Sequence, residues 1–388
     1  MKNTRNLICV IFIAAMMFAA GSLYAGEQKP AQTEAPGSGG ITPDDIKKAL
    51  GMSIYLQGGY TYNFANPDSQ ENRLRVFDHK ANSFTLDLAQ IVFTKDAPVA
   101  GLGYKLKLSA GETAKFIHAT GLGISAGDDP NKSDAFDLTE AYMSYVAPLG
   151  KGLRFQFGKF VTMHGAEVIE AKDDMNYSRG LLFNYAIPFT HTGLLVGYPF
   201  SDKVTAGAYV VNGWDNFNDE GNSKTLGLSI NLTPVEQFSA AINLMNGREL
   251  LGTINTNRFL SDTVVTVKPI KNWTFVVNTD YAVQSNAGLN GRDAKWYGVA
   301  GYVKYDFTDL ISTSVRAEYF KDPDGVRTGT VQTAKEITLT PEFKVAKDLI
   351  VRPEYRHDWS GNEVFDSHRI ALNKKSQDTI ALGMMYTW

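Results

Sequence analysis

Apolar and polar residues alternate with a period of two over most of this chain, and this alternation limits its fold more than any other feature. The clearest example is LGLSINL at 226–232, in which every second residue is Leu or Ile. The pattern returns in IALGMMYTW, the C-terminal stretch at 380–388. Successive side chains of a β-strand point to opposite faces, so the pattern predicts strands with one apolar and one polar face. After the first 25 residues, no stretch approaches the run of about 18 apolar residues that a membrane-spanning helix needs.

The segments between these predicted strands alternate between short and long. Short turns are expected near 96–100, 148–152, 199–203, 233–237, 269–272, 307–310 and 345–348. Longer polar loops are expected near 65–83, 112–135, 161–187, 213–223, 247–258, 284–294, 321–334 and 359–376. An even number of antiparallel strands with short turns at one end and long loops at the other is typical of outer-membrane barrels. The sequence therefore predicts an all-β fold over 53–388, a transmembrane antiparallel β-barrel of about 16 strands with short periplasmic turns and long extracellular loops.

Aromatic residues, at 12% of the chain, support the same fold. Several fall at the ends of predicted strands, where a barrel in lipid carries aromatic girdles. These residues are Tyr60, Tyr62, Trp273, Tyr281, Tyr305, Tyr319 and Trp388. The alternative is a large soluble β-protein, but a propeller would show a repeated blade motif, and a sandwich rarely alternates its connections so strictly. A closed barrel also pairs every backbone N–H and C=O group, as lipid requires.

The first 52 residues are expected to lie outside the barrel. Residues 1–25 combine a basic start, an apolar core and small residues before Ala25, which predicts a cleaved signal peptide; the alternative is a retained N-terminal anchor. The stretch 26–52 is expected to be a periplasmic linker rich in Pro, Gly, Ser and Gln that could end in a short helix. The only cysteine, Cys9, would leave with the signal, so the mature chain could form no disulfide.

The longest predicted loop, 161–187, follows the fifth strand. In sixteen-stranded porins, the loop at this place folds into the lumen and narrows it. Its charged residues would then form a pore constriction and bias which ions pass, because field lines concentrate in a narrow passage of low dielectric. They are Glu167, Glu170, Lys172, Asp173, Asp174 and Arg179. The alternative is an ordinary exposed loop whose charges are solvated.

Charged residues within the predicted strands are expected to line the lumen, because a Lys or Arg on the lipid face costs roughly 2–4 kcal/mol. The strand register points these residues inward: Lys105, Lys107, Arg154, Arg316, Glu318, Arg352, Glu354 and Arg356. An acidic loop opposite this largely basic wall would create a transverse field that orients dipolar solutes. In the alternative interpretation, the charges pair with one another inside a closed or plugged barrel.

No motif for catalysis or for a metal ion emerges, and we predict neither an enzyme nor a cofactor. The six histidines lack the spacing of metal ligands. The polar stretch DNFNDEGN at 215–222 lacks the later Glu of an EF-hand loop. The glycines of 121–126 neither open a helix nor belong to a βαβ unit, so they predict a loop and no dinucleotide site. A net charge of −3, without a broad basic surface, argues against nucleic acid as a partner.

The most specific stretches of the chain are GKFVTMHGAEVIEAKDDMNYSRGLLFNYAIPFTHTG at 158–193 and VVNGWDN at 210–216. They resemble the putative β-barrel porin-2 family, also called OmpL-like, and the resemblance covers nearly the whole of 53–388. It implies an outer-membrane, porin-like barrel and says little about the solute. The C-terminal residues, with Tyr386 and Trp388, are similar to the assembly signal read by the outer-membrane insertion machinery, although a terminal Phe is commoner there than Trp.

These observations predict an outer-membrane porin that lets small hydrophilic solutes or ions pass by passive diffusion. A second hypothesis is a substrate-selective channel with a binding site between the 161–187 loop and the basic wall. A third is a non-transport barrel that serves in adhesion or as an outer-membrane enzyme. The expected partners are outer-membrane lipid and lipopolysaccharide, the barrel insertion machinery and the permeating solutes. A homotrimer is expected only by analogy with other porins.

Overall fold

The structure, a computed structural model, describes residues 43–122, 135–219, 223–251 and 254–388. The predicted signal peptide and the linker up to residue 42 lie outside these described residues. Helix α1, Pro43–Leu50, lies where the sequence allowed a short helix and directly precedes the first strand. Lys47 and Lys48 fall in its last turn, where the helix dipole favours positive charge.

Strands dominate the described part of the chain. In chain order they are β1 (Met52–Asn63), β2 (Ser83–Lys95), β3 (Leu102–Ala110), β4 (Phe136–Ala147), β5 (Leu153–Val161), β6 (Thr190–Ser201), β7 (Val204–Val211), β8 (Thr225–Val235), β9 (Phe238–Leu251), β10 (Ile254–Val267), β11 (Trp273–Gln284), β12 (Ala294–Asp306), β13 (Ile311–Asp322), β14 (Gln332–Ala346), β15 (Leu349–Ser360), β16 (Phe365–Ser367), β17 (Ile370–Lys374) and β18 (Ser376–Thr387). Strands β1 to β15 and β18 form one closed antiparallel barrel, in which β18 pairs with both β15 and β1. The short strands β16 and β17 form a separate hairpin. The predicted closed barrel of sixteen strands is confirmed.

The two rims of the barrel differ in the length of their connections. Short turns join the strands at one end, which we call the short-turn rim. Most connections at the other end, the long-loop rim, are longer and contain little regular structure. They include helices α2 (Ala114–Ile117) and α3 (Leu181–Tyr185) and the 3-10 turns Ala171–Asp173 and Leu289–Gly291.

The prediction of a loop at 247–258 is wrong. These residues belong to strands β9 and β10, which remain paired as far as Leu251 and Ile254. Arg248 and Asn257 face each other across the two strands, and both are exposed on the outer face near the long-loop rim. Because the outer face is polar there, apolar and polar residues do not alternate, and the sequence carries no strand pattern.

The apolar residues of the strands face outward. Phe84, Met143 and Phe157 are 83%, 65% and 62% exposed, whereas Arg316 and Glu336 on the inner face are fully buried. A soluble protein shows the opposite distribution, so the outer surface of this barrel is one that lipid covers. None of the described helices has the length and apolar character needed to cross a bilayer.

The last strand closes the barrel against the first. Trp388 and Ile54 exchange two backbone hydrogen bonds of 2.9 and 3.0 Å, and Tyr386 lies opposite Leu56. The ammonium group of Lys47 in α1 lies 4.6 Å from the centre of the Trp388 ring, which is a cation–π contact. Both residues of the predicted assembly signal therefore lie at the seam between β1 and β18, and their role as a signal stays a prediction.

Candidate functional site

The segment between β5 and β6, residues 162–189, folds into the barrel, and we call it the inner loop. Most of its residues are buried. It contacts the far wall: the side-chain amide of Asn243 on β9 donates to the Met163 carbonyl (2.8 Å). The side-chain oxygen of Asn278 on β11 accepts from the Ala166 N–H group (3.1 Å). The inner loop thus occupies the lumen and does not extend into solvent above the rim.

Arginines on the inner face of the wall donate hydrogen bonds to backbone carbonyl groups of the inner loop. The acceptors are Ser178 for Arg316 (2.6 Å), Ala171, Asp174 (2.7 Å) and Asn176 (3.0 Å) for Arg352, and Arg179 (2.7 Å) for Arg356. A buried carbonyl without a partner costs about as much free energy as a lost hydrogen bond, and an irregular loop pairs few of its own groups. The arginine side chains therefore stabilise a loop conformation that could not be buried by itself.

Glutamates of the same wall bind N–H groups of the inner loop. Glu354 accepts from Tyr177 (2.7 Å) and Ser178 (3.1 Å). Glu318 accepts from the N–H group of Leu181, at the start of helix α3. The first N–H groups of a helix have no partner within the helix, so a carboxylate is favourable at this place. Charged side chains of the wall thus hold both the N–H and the C=O groups of the loop.

Two carboxylates predicted to form the constriction are buried in ion pairs with the wall. Glu167 lies 2.6 Å from Arg316, and Glu170 lies 2.8 Å from Lys107. Glu170 also accepts from the amide of Gln90 at 2.8 Å. Burial alone would raise the pKa of Glu170, but the charge and hydrogen bond of Lys107 outweigh it and hold the pKa below its ordinary value. Glu170 is therefore ionised and paired at neutral pH.

The other charged residues of the inner loop divide into a buried pair and an accessible pair. Arg179 is buried and lies 3.5 Å from Asp174, whose pKa burial raises well above its ordinary value although Arg179 opposes this. Lys172 and Asp173 pair with each other at 2.6 Å, and their side chains are 28% and 55% exposed. Among the six predicted constriction residues, only these two have side chains that solvent reaches readily.

The wall residues predicted from the register all lie on the inner face. Lys105 and Lys107 both contact Glu140, at 2.6 and 2.9 Å. Arg154 is partly exposed, and no carboxylate in the described part of the chain lies within 4 Å of its side chain. Lys107 and Arg316 of the wall are in direct contact with Glu170 and Glu167 of the loop, so these charges pair with one another. The transverse field stays a prediction.

The aromatic ring of Tyr177 occupies a cradle that the sequence analysis missed. Gly59 on β1 and Gly383 on β18 are directly paired, and both face the lumen. A Cβ atom at either position would overlap the Tyr177 ring. The Tyr177 hydroxyl donates to Asp87 at 2.5 Å, and burial raises the pKa of this tyrosine. Because the two glycines lie more than 300 residues apart, no local pattern identifies the cradle.

Two histidines lie at the base of the inner loop. Both His164 and His191 are buried, and a ring nitrogen of each lies 3.1 Å from the Thr162 hydroxyl. Burial, with a smaller contribution from His191, lowers the pKa of His164 to about 3, so its imidazole is neutral over the physiological range. Within the described residues, no group of three or more His, Cys, Asp or Glu side chains is arranged to hold a metal ion.

Asp262 on β10 and Asp280 on β11 face each other beneath the inner loop, and both are buried. Asp262 accepts from the amides of Asn243 and Asn278, at 2.7 Å each. Apart from Asp262, no group in the described part of the chain is a hydrogen-bond partner of the Asp280 carboxylate. Like charges directly opposite each other on neighbouring strands are destabilising. We therefore expect this pair to lower the stability of the folded barrel.

Replacing Asp280 with asparagine is expected to stabilise the protein by about 1–3 kcal/mol, the usual cost of a buried polar group left unsatisfied. The new amide removes one of the facing acids and supplies a donor to the Asp262 carboxylate. Urea unfolding followed by tryptophan fluorescence measures the change. Asp309→Asn, at an exposed position on a short turn, is the matched control and should be neutral. A D280N variant no more stable than the wild type would contradict the prediction.

A closed antiparallel barrel with an apolar outer surface, a charged inner wall and a loop folded into its lumen is the architecture of an outer-membrane porin. The chain belongs to the putative β-barrel porin-2, OmpL-like family, whose sequence model matches residues 49–388. Membership of this family identifies the protein as a passive channel of the bacterial outer membrane. No curated protein sequence matches the chain.

Several solved structures share the fold at low sequence identity. They include the outer membrane channel DcaP of Acinetobacter baumannii (11% identity, TM-score 0.58, covering 87% of this chain and 96% of that chain), an anion-selective porin from Comamonas acidovorans (11%, 0.59, 87% and 98%) and a trimer form of OmpT of Vibrio cholerae (13%, 0.54, 87% and 98%). At these identities the similarity extends to the fold alone.

Proposed function

We propose that the protein lets small hydrophilic solutes or ions diffuse passively through its lumen and catalyses no reaction. The observation that carries this proposal is the inner loop, which charged side chains hold across a polar lumen. On one wall Lys107 binds Glu170, and on another Arg316 binds Glu167. A barrel of sixteen strands is wide enough to enclose an aqueous channel. The inner loop would narrow this channel and set the narrowest part of the passage.

We assign the water-filled part of the lumen to the side of β6 and β7, toward the short-turn rim. Gly197 and Gly207 face each other across these strands, and a Cβ atom added at Gly197 would meet no atom nearer than 3.8 Å. Thr205 and Asn231, on the inner face of β7 and β8, are exposed. These accessible positions support a path beside the inner loop. Lys172 and Asp173, the accessible charges of the loop, are the constriction residues that solutes would meet.

The purified protein is expected to give discrete conductance steps in planar lipid bilayers. In a gradient of potassium chloride, Asp173→Asn should move the reversal potential toward anion preference, because a narrow passage concentrates the field of an exposed carboxylate. The matched control is Asp202→Asn, at a fully exposed position on a short turn. Absence of any conductance would contradict the proposed function, whereas an unchanged reversal potential would contradict only the constriction role of Asp173.

The proposal extends to export and assembly. Residues 1–25 would be removed as a signal peptide, and 26–52 would remain as a periplasmic linker. The terminal strand, with Tyr386 and Trp388, would be recognised by the barrel insertion machinery, and the outer surface would contact lipid and lipopolysaccharide. The trimer form of OmpT supports a homotrimer for this chain as well. Light scattering of the detergent-solubilised protein tests the trimer, and a monomeric mass would refute it.

A further inference from the structure

Two arginines share the same pair of tryptophan rings on the long-loop side of the inner loop. Arg258 projects from the inner face of β10, and Arg327 from the segment between β13 and β14. The Arg258 guanidinium carbon lies 4.6 Å from the ring centre of Trp214 and 5.8 Å from that of Trp296. The corresponding distances for Arg327 are 5.0 and 5.2 Å. Two positive groups are thus held close together against aromatic faces.

Hydrogen bonds through the Nε atoms fix the direction of both guanidinium groups. Arg327 donates from Nε to the carbonyl of Tyr185 in the inner loop (2.6 Å). Arg258 donates from Nε to the side-chain oxygen of Gln284 (3.0 Å). Trp296 is itself fixed, because its ring N–H donates to the Ala186 carbonyl (3.1 Å). The cluster is therefore built on the inner loop and is rigid at its base.

The Nη groups of these arginines lack strong partners in the described part of the chain. Neither Nη group of Arg327 makes a hydrogen bond there, and its side chain is only partly buried. The nearest carboxylate oxygen to Arg258 belongs to Glu249, 3.9 Å from Nη1. The Arg258 side chain keeps 13% of its surface exposed. Both guanidinium groups therefore retain Nη donors that make no hydrogen bond in the described part of the chain.

Nearby carboxylates are used by backbone N–H groups. Asp322 accepts from Arg327 and Thr328, at 2.9 and 2.8 Å. Asp215 accepts from Phe189 and Thr190, at 2.6 and 2.8 Å. Neither forms an ion pair with the guanidinium of Arg327.

Arg258, Arg327, Trp214 and Trp296, which we call the arginine cluster, lie among carboxylates whose charges oppose the repulsion between the two guanidinium groups. Burial and the neighbouring charge of Arg258 lower the pKa of Arg327 to about 10, although the charges of Asp215 and Asp322 act in the opposite direction, so the arginine is still charged at neutral pH. Two like charges this close repel each other, and a bound anion would relieve the repulsion.

We propose that Arg258 and Arg327 bind the oxyanion group, carboxylate or phosphate, of a small solute that enters from the long-loop rim. The inference rests on the proposed channel function and deepens it by naming a solute class. The planar guanidinium presents paired donors that match the two oxygens of a carboxylate or phosphate. The tryptophan rings hold these donors in place and shield them from water, which strengthens a charged hydrogen bond. A solute would be captured here before it reaches the inner loop.

Isothermal titration of the detergent-solubilised full-length protein at low salt tests the site, with sodium succinate and inorganic phosphate as separate probes. Saturable binding of at least one probe is expected, and the stronger of the two identifies carboxylate or phosphate as the preferred group. Arg327→Gln and Arg258→Gln should each weaken binding by about tenfold to a hundredfold, as expected for the loss of a charged hydrogen bond. Arg248→Gln, which removes an arginine from the outer face of β9, should leave binding unchanged.

A second variant separates loss of the site from loss of the fold. Arg327→Lys keeps the charge but not the planar pair of donors, so it should bind more weakly than the wild type, while its unheated samples should migrate on gels as those of the folded wild type do. Wild-type protein that binds neither probe, or an R327Q variant that is folded and binds as tightly as the wild type, would overturn the proposal. Binding needs no conduction, so conductance without binding refutes the site alone, and binding without conductance refutes the channel alone.

Discussion

Replacing Gly383 with valine is expected to raise the single-channel conductance severalfold. The new side chain would occupy the cradle that Gly383 forms with Gly59, and the ring of Tyr177 would be displaced from it. Tyr177 also binds Asp87 through its hydroxyl and Glu354 through its N–H group, so its displacement breaks two further contacts of the inner loop. Valine is favoured in strands, and the barrel itself should therefore tolerate the change. Planar-bilayer recordings measure the effect.

Gly197→Val is the matched control for this experiment. Gly197 also faces the lumen from a strand and is paired with a glycine, Gly207, on its neighbour. No part of the inner loop lies within 4 Å of a Cβ atom added at this position. This variant should narrow the open side slightly and lower the conductance or leave it unchanged. If Gly383→Val also lowered the conductance or left it unchanged, docking of Tyr177 would not control the width of the passage.

Replacing Arg316 with alanine is expected to lower the free energy of unfolding by about 3–5 kcal/mol, because removal of one partner from a buried ion pair leaves the other charges uncompensated. Arg316 is fully buried, and its guanidinium contacts Glu336 at 2.8 Å and Glu167 at 2.6 Å. Without Arg316, the carboxylates of Glu167 and Glu336 would each lose an ion pair inside the barrel. Urea unfolding of the refolded barrel in detergent gives the change in free energy.

Arg154→Ala provides the comparison for the loss of a lumen arginine as such. Arg154 also points into the barrel, but it is partly exposed and makes no ion pair in the described part of the chain. Its removal should cost less than about 1 kcal/mol, the usual value for an exposed charge. If both variants lost the same free energy of unfolding, the buried ion pairs of Arg316 would contribute nothing specific to stability.

The sequence predicts the barrel well because period-two alternation is a local signal. Each strand with an apolar outer face shows it, as 226–232 does within β8. The signal fails at 247–258, where β9 and β10 continue with polar residues on the outer face. Strand count and closure still follow, since the surrounding strands keep their pattern and a barrel in lipid has no free edge.

The candidate site is only partly predictable, because its contacts join residues distant in sequence. Position in the chain indicates that 161–187 folds inward, and the register places Arg316 and Arg352 on the inner face. Sequence alone does not show that these arginines bind backbone carbonyl groups of the loop, or that only Lys172 and Asp173 stay accessible among the six predicted constriction residues. Such facts depend on the path of an irregular segment, for which no periodic signal exists.

The arginine cluster shows the same limitation more strongly. Arg258 and Arg327 meet only because β10 and the segment after β13 converge on Trp214 and Trp296. In the sequence each is a single arginine without a motif. The two arginines and two tryptophans are spread over more than 100 residues of the sequence, and only the fold brings them into contact.

The position of Tyr177 also bears on the order of assembly. Its cradle is made of Gly59 from the first strand and Gly383 from the last, so the cradle forms only when those two strands pair. While the barrel is still an open sheet, Tyr177 has no site to dock into, and the inner loop cannot take its final position in the lumen. Docking of this one side chain therefore requires that the first and last strands have already paired.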